Sequence, residues 1–141
     1  MILVDTCVLL DVSTDDPRWR EWSVGQLARW SLRGPLLINP LIFAEWCSDF
    51  GSLESAEFAL QDFGLQWAEV PREALYLAAQ AHRLYRRRGG TRAMVLPDFL
   101  IGAHAAVSRL PVLTRDRRRF ESYFSGLEIV APEALPGSDS G

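Results

Sequence analysis

Hydrophobic positions along the chain form short apolar runs that alternate with longer stretches of helical periodicity. The runs predict five strands, at residues 2–4, 36–38, 65–70, 111–114 and 127–131. Capping and first-turn residues predict the intervening helices, which begin after Asp15 or Asp16, at Pro40, at Ser52, at Pro71 and at Pro97, with a short arginine-rich helix after the fourth strand. Strands that alternate with helices predict an α/β fold with a mainly parallel sheet.

Length and composition indicate one domain. We expect residues 1–132 to fold together and residues 133–141, which end in PGSDSG, to form a disordered tail. The most apolar segment, LLINPLIFAEW, is broken by Asn39 and Pro40, which argues against a membrane span. The N-terminus lacks a basic signal region, and Cys7 and Cys47 have no metal-ligand spacing. We therefore expect a cytoplasmic protein.

The basic residues are unusual, because all 15 are arginine although the net charge is −3. Nine lie in two short stretches: Arg83, Arg86, Arg87, Arg88 and Arg92, then Arg115, Arg117, Arg118 and Arg119. The planar guanidinium binds phosphate with two parallel hydrogen bonds and stacks on bases. Each stretch taken alone is also typical of a solvated helix face.

Four acidic residues are expected at the edge of the sheet where the strands end. Ligands of open parallel sheets bind at that edge, near the point where the strand order reverses. Asp5 follows the first strand, and Asp116 lies two residues after the end of the fourth. Asp98 lies in the first turn of the helix that leads to the fourth strand, and Glu45 lies in the helix after the second.

Each of these acids has a simpler explanation when it is considered alone. Asp5 is a helix cap, Asp98 complements a helix dipole, Asp116 is a turn residue, and Glu45 is a surface residue. Four other acids are assigned to helix surfaces: Asp11, Asp49, Asp62 and Glu121. Carboxylates that meet in one cleft repel each other unless a cation compensates them, and oxygen ligands without His or Cys favour Mg²⁺ or Mn²⁺.

Four segments resemble the motifs of the PIN domain, and more narrowly those of VapC-type toxins: ILVDTCVLLDV, NPLIFAEW, LPDFLIGAHA and LTRDRRRF. The resemblance extends over residues 2–132, and the acidic positions of the family fall on Asp5, Glu45, Asp98 and Asp116. It implies a three-layer α/β/α sandwich around a five-stranded parallel sheet. It also implies a Mg²⁺- or Mn²⁺-dependent endoribonuclease that cleaves structured cellular RNA of the tRNA or rRNA class, forms a homodimer and is neutralised by a cognate antitoxin.

The resemblance also implies a role for each site residue. Asp5, Asp98 and Asp116 are expected to be metal ligands, whereas Glu45 would bind through water or position the attacking water. Thr114 would orient Asp116. Cys7 stands where the family commonly has a small hydroxyl residue, so Thr6 is expected to support the site instead.

Three arginines lie close to these acids in the sequence, and we predict that they contact RNA: Arg92, Arg115 and Arg117. Aromatic residues are concentrated in two helical regions, at Trp19, Trp22 and Trp30 and at Trp46, Phe50 and Phe58. Core packing, an antitoxin groove and dimerisation all remain open for them. We interpret His82 and His104 as structural.

Three other functions compete with the toxin hypothesis. A phosphatase with an aspartyl nucleophile requires a second Asp two residues after the first, and Cys7 occupies that position. A binding module would mainly hold an antitoxin. A PIN nuclease outside any toxin–antitoxin pair would have the same acids but no antitoxin.

Overall fold

The computed structural model describes residues 1–90 and 94–133. Arg92 and residues 134–141, which include all but the first residue of the predicted tail, lie outside the described residues. The strands are β1 (Ile2–Val4), β2 (Leu36–Ile38), β3 (Leu65–Trp67), β4 (Val112–Leu113) and β5 (Ile129–Val130). The helices are α1 (Thr6–Ser13), α2 (Arg20–Ser31), α3 (Pro40–Cys47), α4 (Leu53–Asp62), α5 (Arg72–Arg87), α6 (Leu96–Ser108) and α7 (Arg118–Glu121).

The five strands form one parallel sheet in the order β3-β2-β1-β4-β5, with helices on both faces. This confirms the predicted α/β/α architecture. At the centre, Leu3 of β1 pairs with Leu37 on one side and with Val112 on the other. After β1 the chain moves to one side of the sheet, and after β4 it moves to the other. The carboxyl ends of β1 and β4 therefore form the switch point at which open sheets bind ligands.

Local sequence explains where most helices begin. Asn39 caps α3, since its Oδ1 accepts a hydrogen bond from the Ile42 N–H at 2.9 Å, and Pro40 occupies the first turn. Ser52 caps α4 in the same way. The second helix begins later than predicted, at Arg20, because Asp16 accepts hydrogen bonds from two backbone N–H groups that precede the helix.

The core lies between the sheet and the helices. All three residues of β1 are fully buried, as expected for the central strand of a parallel sheet. Trp46 is also fully buried, and its ring makes edge contacts with Phe50 and Phe63. In contrast, Phe58 is 70% exposed, so the aromatic residues of this region serve the core only in part. Within the described residues, no helix is both long and apolar enough to cross a membrane.

Candidate active site at the carboxyl ends of the central strands

Asp5 lies at the end of β1 and is almost completely buried, with 1% of its surface exposed. Its Oδ1 accepts a hydrogen bond from the Thr6 N–H at 2.8 Å, so Asp5 does cap α1. Its Oδ2 accepts a hydrogen bond from the Thr114 hydroxyl at 2.8 Å, and the Cys7 thiol lies 3.4 Å from the same oxygen. Asp5 therefore caps α1 with one oxygen and contacts Thr114 and Cys7 with the other, so the Cys7 side chain does reach Asp5.

Thr114 connects the ends of the two central strands. Its hydroxyl donates to Asp5 of β1, and the same oxygen accepts a hydrogen bond from the Asp116 N–H at 3.0 Å. The hydroxyl is fully buried, so neither hydrogen bond competes with water. Thr114 thus orients Asp5 through its side chain and fixes the backbone of Asp116.

Asp98 enters the same site from α6. It is buried, and its Oδ2 accepts a hydrogen bond from the Val95 N–H at 3.1 Å, which holds the carboxylate at the start of the helix. Asp98 therefore also complements the helix dipole at the N-terminus of α6, as expected. The other oxygen, Oδ1, is directed toward Arg119.

Arg119 is the residue that sequence reasoning missed. Its Nη1 donates to Asp98 Oδ1 at 2.6 Å, and its Nη2 donates to Asp5 Oδ2. Its Nε lies 3.6 Å from Asp116 Oδ2. One guanidinium therefore contacts three of the four predicted acids, which come from β1, α6 and the segment after β4. The available signal was the spacing of three residues from Asp116, which places both side chains on the same side of a helical turn.

Glu45 joins this group through Thr6, whose hydroxyl donates to Glu45 Oε1 at 2.8 Å. Thr6 therefore supports two acids, Asp5 through its backbone and Glu45 through its side chain. Burial raises the pKa of Glu45, and the negative charges of Asp5 and Asp98 raise it further, although the Thr6 hydrogen bond opposes them. We call Asp5, Glu45, Asp98 and Asp116 the four-acid cluster.

The electrostatics of the cluster affect its neighbours. Burial raises the pKa of the Cys7 thiol to about 12, and the charge of Asp5 acts in the same direction. Cys7 is therefore a neutral donor and not a thiolate ligand. For Arg119, burial by itself lowers the pKa, but the charges of Asp5 and Asp98 outweigh it and the pKa is raised. Arg119 remains a cation.

The donor chemistry of the cluster fits a hard divalent cation, because every acidic ligand presents oxygen. In the part of the chain that is described, no group of three or more His, Cys, Asp or Glu side chains has the geometry of a ready metal site. The side chains around the centre of the cluster converge on Arg119 instead.

Asp11 requires a correction, since we expected it on a helix surface. It is 1% exposed and accepts a hydrogen bond from the Ser23 hydroxyl at 2.6 Å. Arg115 Nε lies 2.8 Å from the same carboxylate oxygen, and its guanidinium also lies over the Trp19 ring. The Asp11–Arg115 pair thus connects α1 to the segment after β4. Asp49, Asp62 and Glu121 do lie on the surface as predicted.

An open cavity of about 850 Å³ lies beside Asp116. Its walls combine two indoles and four arginines with three acids besides Asp116: Trp19, Trp22, Arg18, Arg115, Arg117, Arg118, Glu21, Glu121 and Glu133. Arg117 also donates to the Ile129 carbonyl at 3.1 Å. A smaller cavity of about 290 Å³ lies around Pro111 and Glu128, on the amino side of β4 and β5 and away from the acids.

The family assignment is decided by the sequence match, since residues 2–123 match the PIN domain family. This chain belongs to the PIN domain family. PIN domains are nucleases that generally use divalent metal ions. No curated protein is similar enough in sequence to refine this assignment.

Solved structures with a similar fold cover nearly the whole of this PIN domain. VapBC2 from Rickettsia felis, solved with a promoter DNA fragment, has a TM-score of 0.72 at 16% identity over 94% of this chain and 100% of its own. DNA-bound VapBC from Salmonella typhimurium has a TM-score of 0.68 at 21% identity, with 93% and 98% covered. A toxin–antitoxin complex from Klebsiella pneumoniae has a TM-score of 0.58 at 20% identity, with 96% and 100% covered. At these sequence identities the structural similarity supports the assignment of the fold alone.

Proposed function

We propose that this chain is the toxin of a toxin–antitoxin pair and that it acts as a Mg²⁺- or Mn²⁺-dependent endoribonuclease. The observation that carries the proposal is the convergence of Asp5, Asp98 and Asp116, from three separate segments, on one cation at the carboxyl edge of the sheet. Family membership supports nuclease chemistry. The similarity to VapBC structures and to a toxin–antitoxin complex supports the toxin role and the antitoxin partner.

In this proposal Asp5, Asp98 and Asp116 would hold a divalent ion, which would supply charge neutralisation at the scissile phosphate and activation of a water molecule. Glu45 is connected to the site through Thr6 and is partly solvent-accessible, so it positions the attacking water. Its raised pKa suits a group that accepts a proton during attack. Thr114 fixes the orientation of the Asp5 carboxylate through its hydroxyl hydrogen bond.

The proposed substrate is structured cellular RNA of the tRNA or rRNA class, cleaved in the cytoplasm. The cavity beside Asp116 combines arginines, which bind phosphate, with indoles on which unpaired bases stack. Arg117 is the more exposed of the two described arginines that we predict to contact RNA, since 48% of its side chain is exposed against 30% for Arg115, and its partner Glu121 lies on the surface at 3.8 Å. Arg92, the third, lies outside the described residues and stays a prediction.

The first experiment is to incubate antitoxin-free protein with total RNA in Mg²⁺ or Mn²⁺ and to map the new 5′ ends. We expect cuts at a few defined sites that disappear with chelator. Asp98→Asn should reduce cleavage by at least about 100-fold, since charge stabilisation in the transition state is lost. Asp62→Asn, on the exposed surface of α4, is the control and should cleave normally.

Cuts that persist in Asp98→Asn would refute the proposed site. The toxin role is tested separately by expressing the chain in cells: growth arrest that a co-expressed antitoxin relieves supports it. Cleavage without growth arrest would favour a PIN nuclease outside a toxin–antitoxin pair. Size measurement in solution tests the proposed homodimer.

A further inference from the structure

Arg119 occupies the side of the site that a metal ion would use. Asp98 Oδ2 accepts a hydrogen bond from the Val95 N–H, and Arg119 binds the other oxygen of that carboxylate, Oδ1. On Asp5, Arg119 binds Oδ2, which also accepts a hydrogen bond from the Thr114 hydroxyl. An ion that uses the same two oxygens would therefore have to enter the space of the guanidinium.

Distance makes simultaneous occupation unfavourable. Mg²⁺ binds carboxylate oxygens at roughly 2.0–2.1 Å. Arg119 Nη1 lies only 2.6 Å from Asp98 Oδ1, so an ion on that oxygen would lie within a few ångströms of the guanidinium. Two cations this close repel each other, and the repulsion is stronger where burial limits screening by solvent. The Arg119 side chain is only 23% exposed, which limits screening by solvent.

Charge explains why the guanidinium is held there. Asp5 and Asp98 are both buried, and two buried carboxylates without a cation would strongly destabilise the fold. Arg119 supplies one positive charge to three acids that it contacts, with Glu45 nearby as a fourth. It therefore compensates the cluster only in part and leaves room for a cation of higher charge.

We propose that Arg119 and the divalent ion are alternative occupants of one cation position. The inference rests on the proposed metal-dependent function and adds a control on it. Arg119 stabilises the metal-free protein, and the ion must displace it before cleavage. The affinity of the site for metal is consequently lower than that of the acids alone, and the chain folds without the ion.

The decisive experiment is calorimetric titration of Mn²⁺ into the purified full chain and into Arg119→Gln. We expect Arg119→Gln to bind Mn²⁺ on the order of 10-fold more tightly, within the usual range for coupled binding events. Arg118→Gln removes the same charge one residue away, where no contact with the described acids is made, and should bind like the native chain. Adding Asp98→Asn to Arg119→Gln should abolish the gain, which locates the ion in this cluster.

Thermal unfolding with and without Mn²⁺ tests the same competition through the stability of the protein. Without metal, Arg119→Gln should unfold about 5 °C below the native chain, because the buried acids lose their cation. Saturating Mn²⁺ should close this gap, since the ion then compensates the acids in both proteins. Arg118→Gln should show neither effect.

Equal or weaker Mn²⁺ binding by Arg119→Gln would overturn the inference, because Arg119 would then orient the ligands and not compete with the ion. The metal-dependent function would survive that result. Absence of Mn²⁺ binding in every variant would refute the metal site and the inference together. If Arg119→Gln does not fold, Arg119→Lys serves instead: a single ammonium group cannot bind Asp5 and Asp98 through two separate nitrogens, so the ion displaces it more easily. This variant should bind Mn²⁺ more tightly than the native chain but less tightly than the charge-free variant.

Discussion

Arg115 and Arg119 lie four residues apart, and each forms an ion pair with a buried carboxylate. The two sites differ in the number of negative charges that surround the arginine. Arg115 faces one acid, Asp11, which also accepts a hydrogen bond from Ser23. Arg119 faces Asp5 and Asp98 directly and Asp116 at longer range. The first region is neutral within itself, whereas the second retains an excess of negative charge. Buried charge that is compensated stabilises a fold, and buried charge left in excess marks a place for a further cation.

The largest effect on stability is expected in the balanced region. Asp11→Asn leaves Arg115 without its counter-charge and should lower the free energy of unfolding by about 2 kcal/mol, less than for a fully buried pair because the Arg115 side chain is 30% exposed. Denaturant unfolding measures this, with Asp62→Asn as the neutral control. RNA cleavage and stabilisation by Mn²⁺ should both remain. A stable but inactive Asp11→Asn variant would place Asp11 in the active site, and would contradict the view that the Asp11–Arg115 pair only stabilises the fold.

The second largest effect is expected in the four-acid cluster around Arg119, where negative charge is in excess. Thr114→Val keeps the shape of the side chain but removes the donor to Asp5 and the acceptor for the Asp116 N–H. We expect Mn²⁺ affinity and cleavage to fall by roughly 10- to 100-fold, as is typical when a partner of a metal ligand is lost. Thr6→Val is a matched control for Mn²⁺ affinity, since its hydroxyl binds only Glu45, which is not a proposed direct ligand, while its backbone N–H still donates to Asp5. Similar losses of Mn²⁺ affinity in both variants would mean that the orientation of Asp5 is not the critical feature.

The smallest effect concerns a buried polar pair that carries no charge. Asn39 Oδ1 accepts from the Ile42 N–H, so its Nδ2 faces His104 Nδ1, 3.0 Å away, and that nitrogen must accept a hydrogen bond. Burial lowers the pKa of His104 below its ordinary value of 6.5, in agreement with a neutral ring. As the pH falls, His104 therefore becomes protonated at a higher pH in the unfolded chain than in the folded chain.

His104 should thus stabilise the fold fully above pH 6.5, and this stability should be lost as the pH falls through 6.5 toward the lower folded pKa. Unfolding measured at about pH 7.5 and about pH 5.5 should show a steeper loss in the native chain than in His104→Gln. Equal slopes in the two proteins would show that folding does not change the affinity of His104 for a proton, and would contradict this prediction.

Periodicity and capping residues were sufficient to predict the five strands, the parallel sheet and the capped starts of α3 and α4, because these depend on residues close together in sequence. The position of Asp5, Asp98 and Asp116 at the carboxyl edge was also predicted, from the ends of the first and fourth strands and from the start of the helix before the fourth. Glu45 was expected to reach the same edge, and it is linked to it through the Thr6 hydroxyl.

Burial of Asp11 and insertion of Arg119 could not be predicted in this way. An acid on an amphipathic helix is exposed or buried according to what packs against it. The partners of Asp11, Ser23 and Arg115, lie 12 and 104 residues away in the chain. Arg119 looks like its neighbours Arg117 and Arg118 in sequence, and only its position at the switch point brings it to Asp5 and Asp98. The sequence by itself determined which acids meet at the sheet edge, whereas the tertiary structure decided which arginine neutralises them, because that choice depends on distances between side chains far apart in the chain.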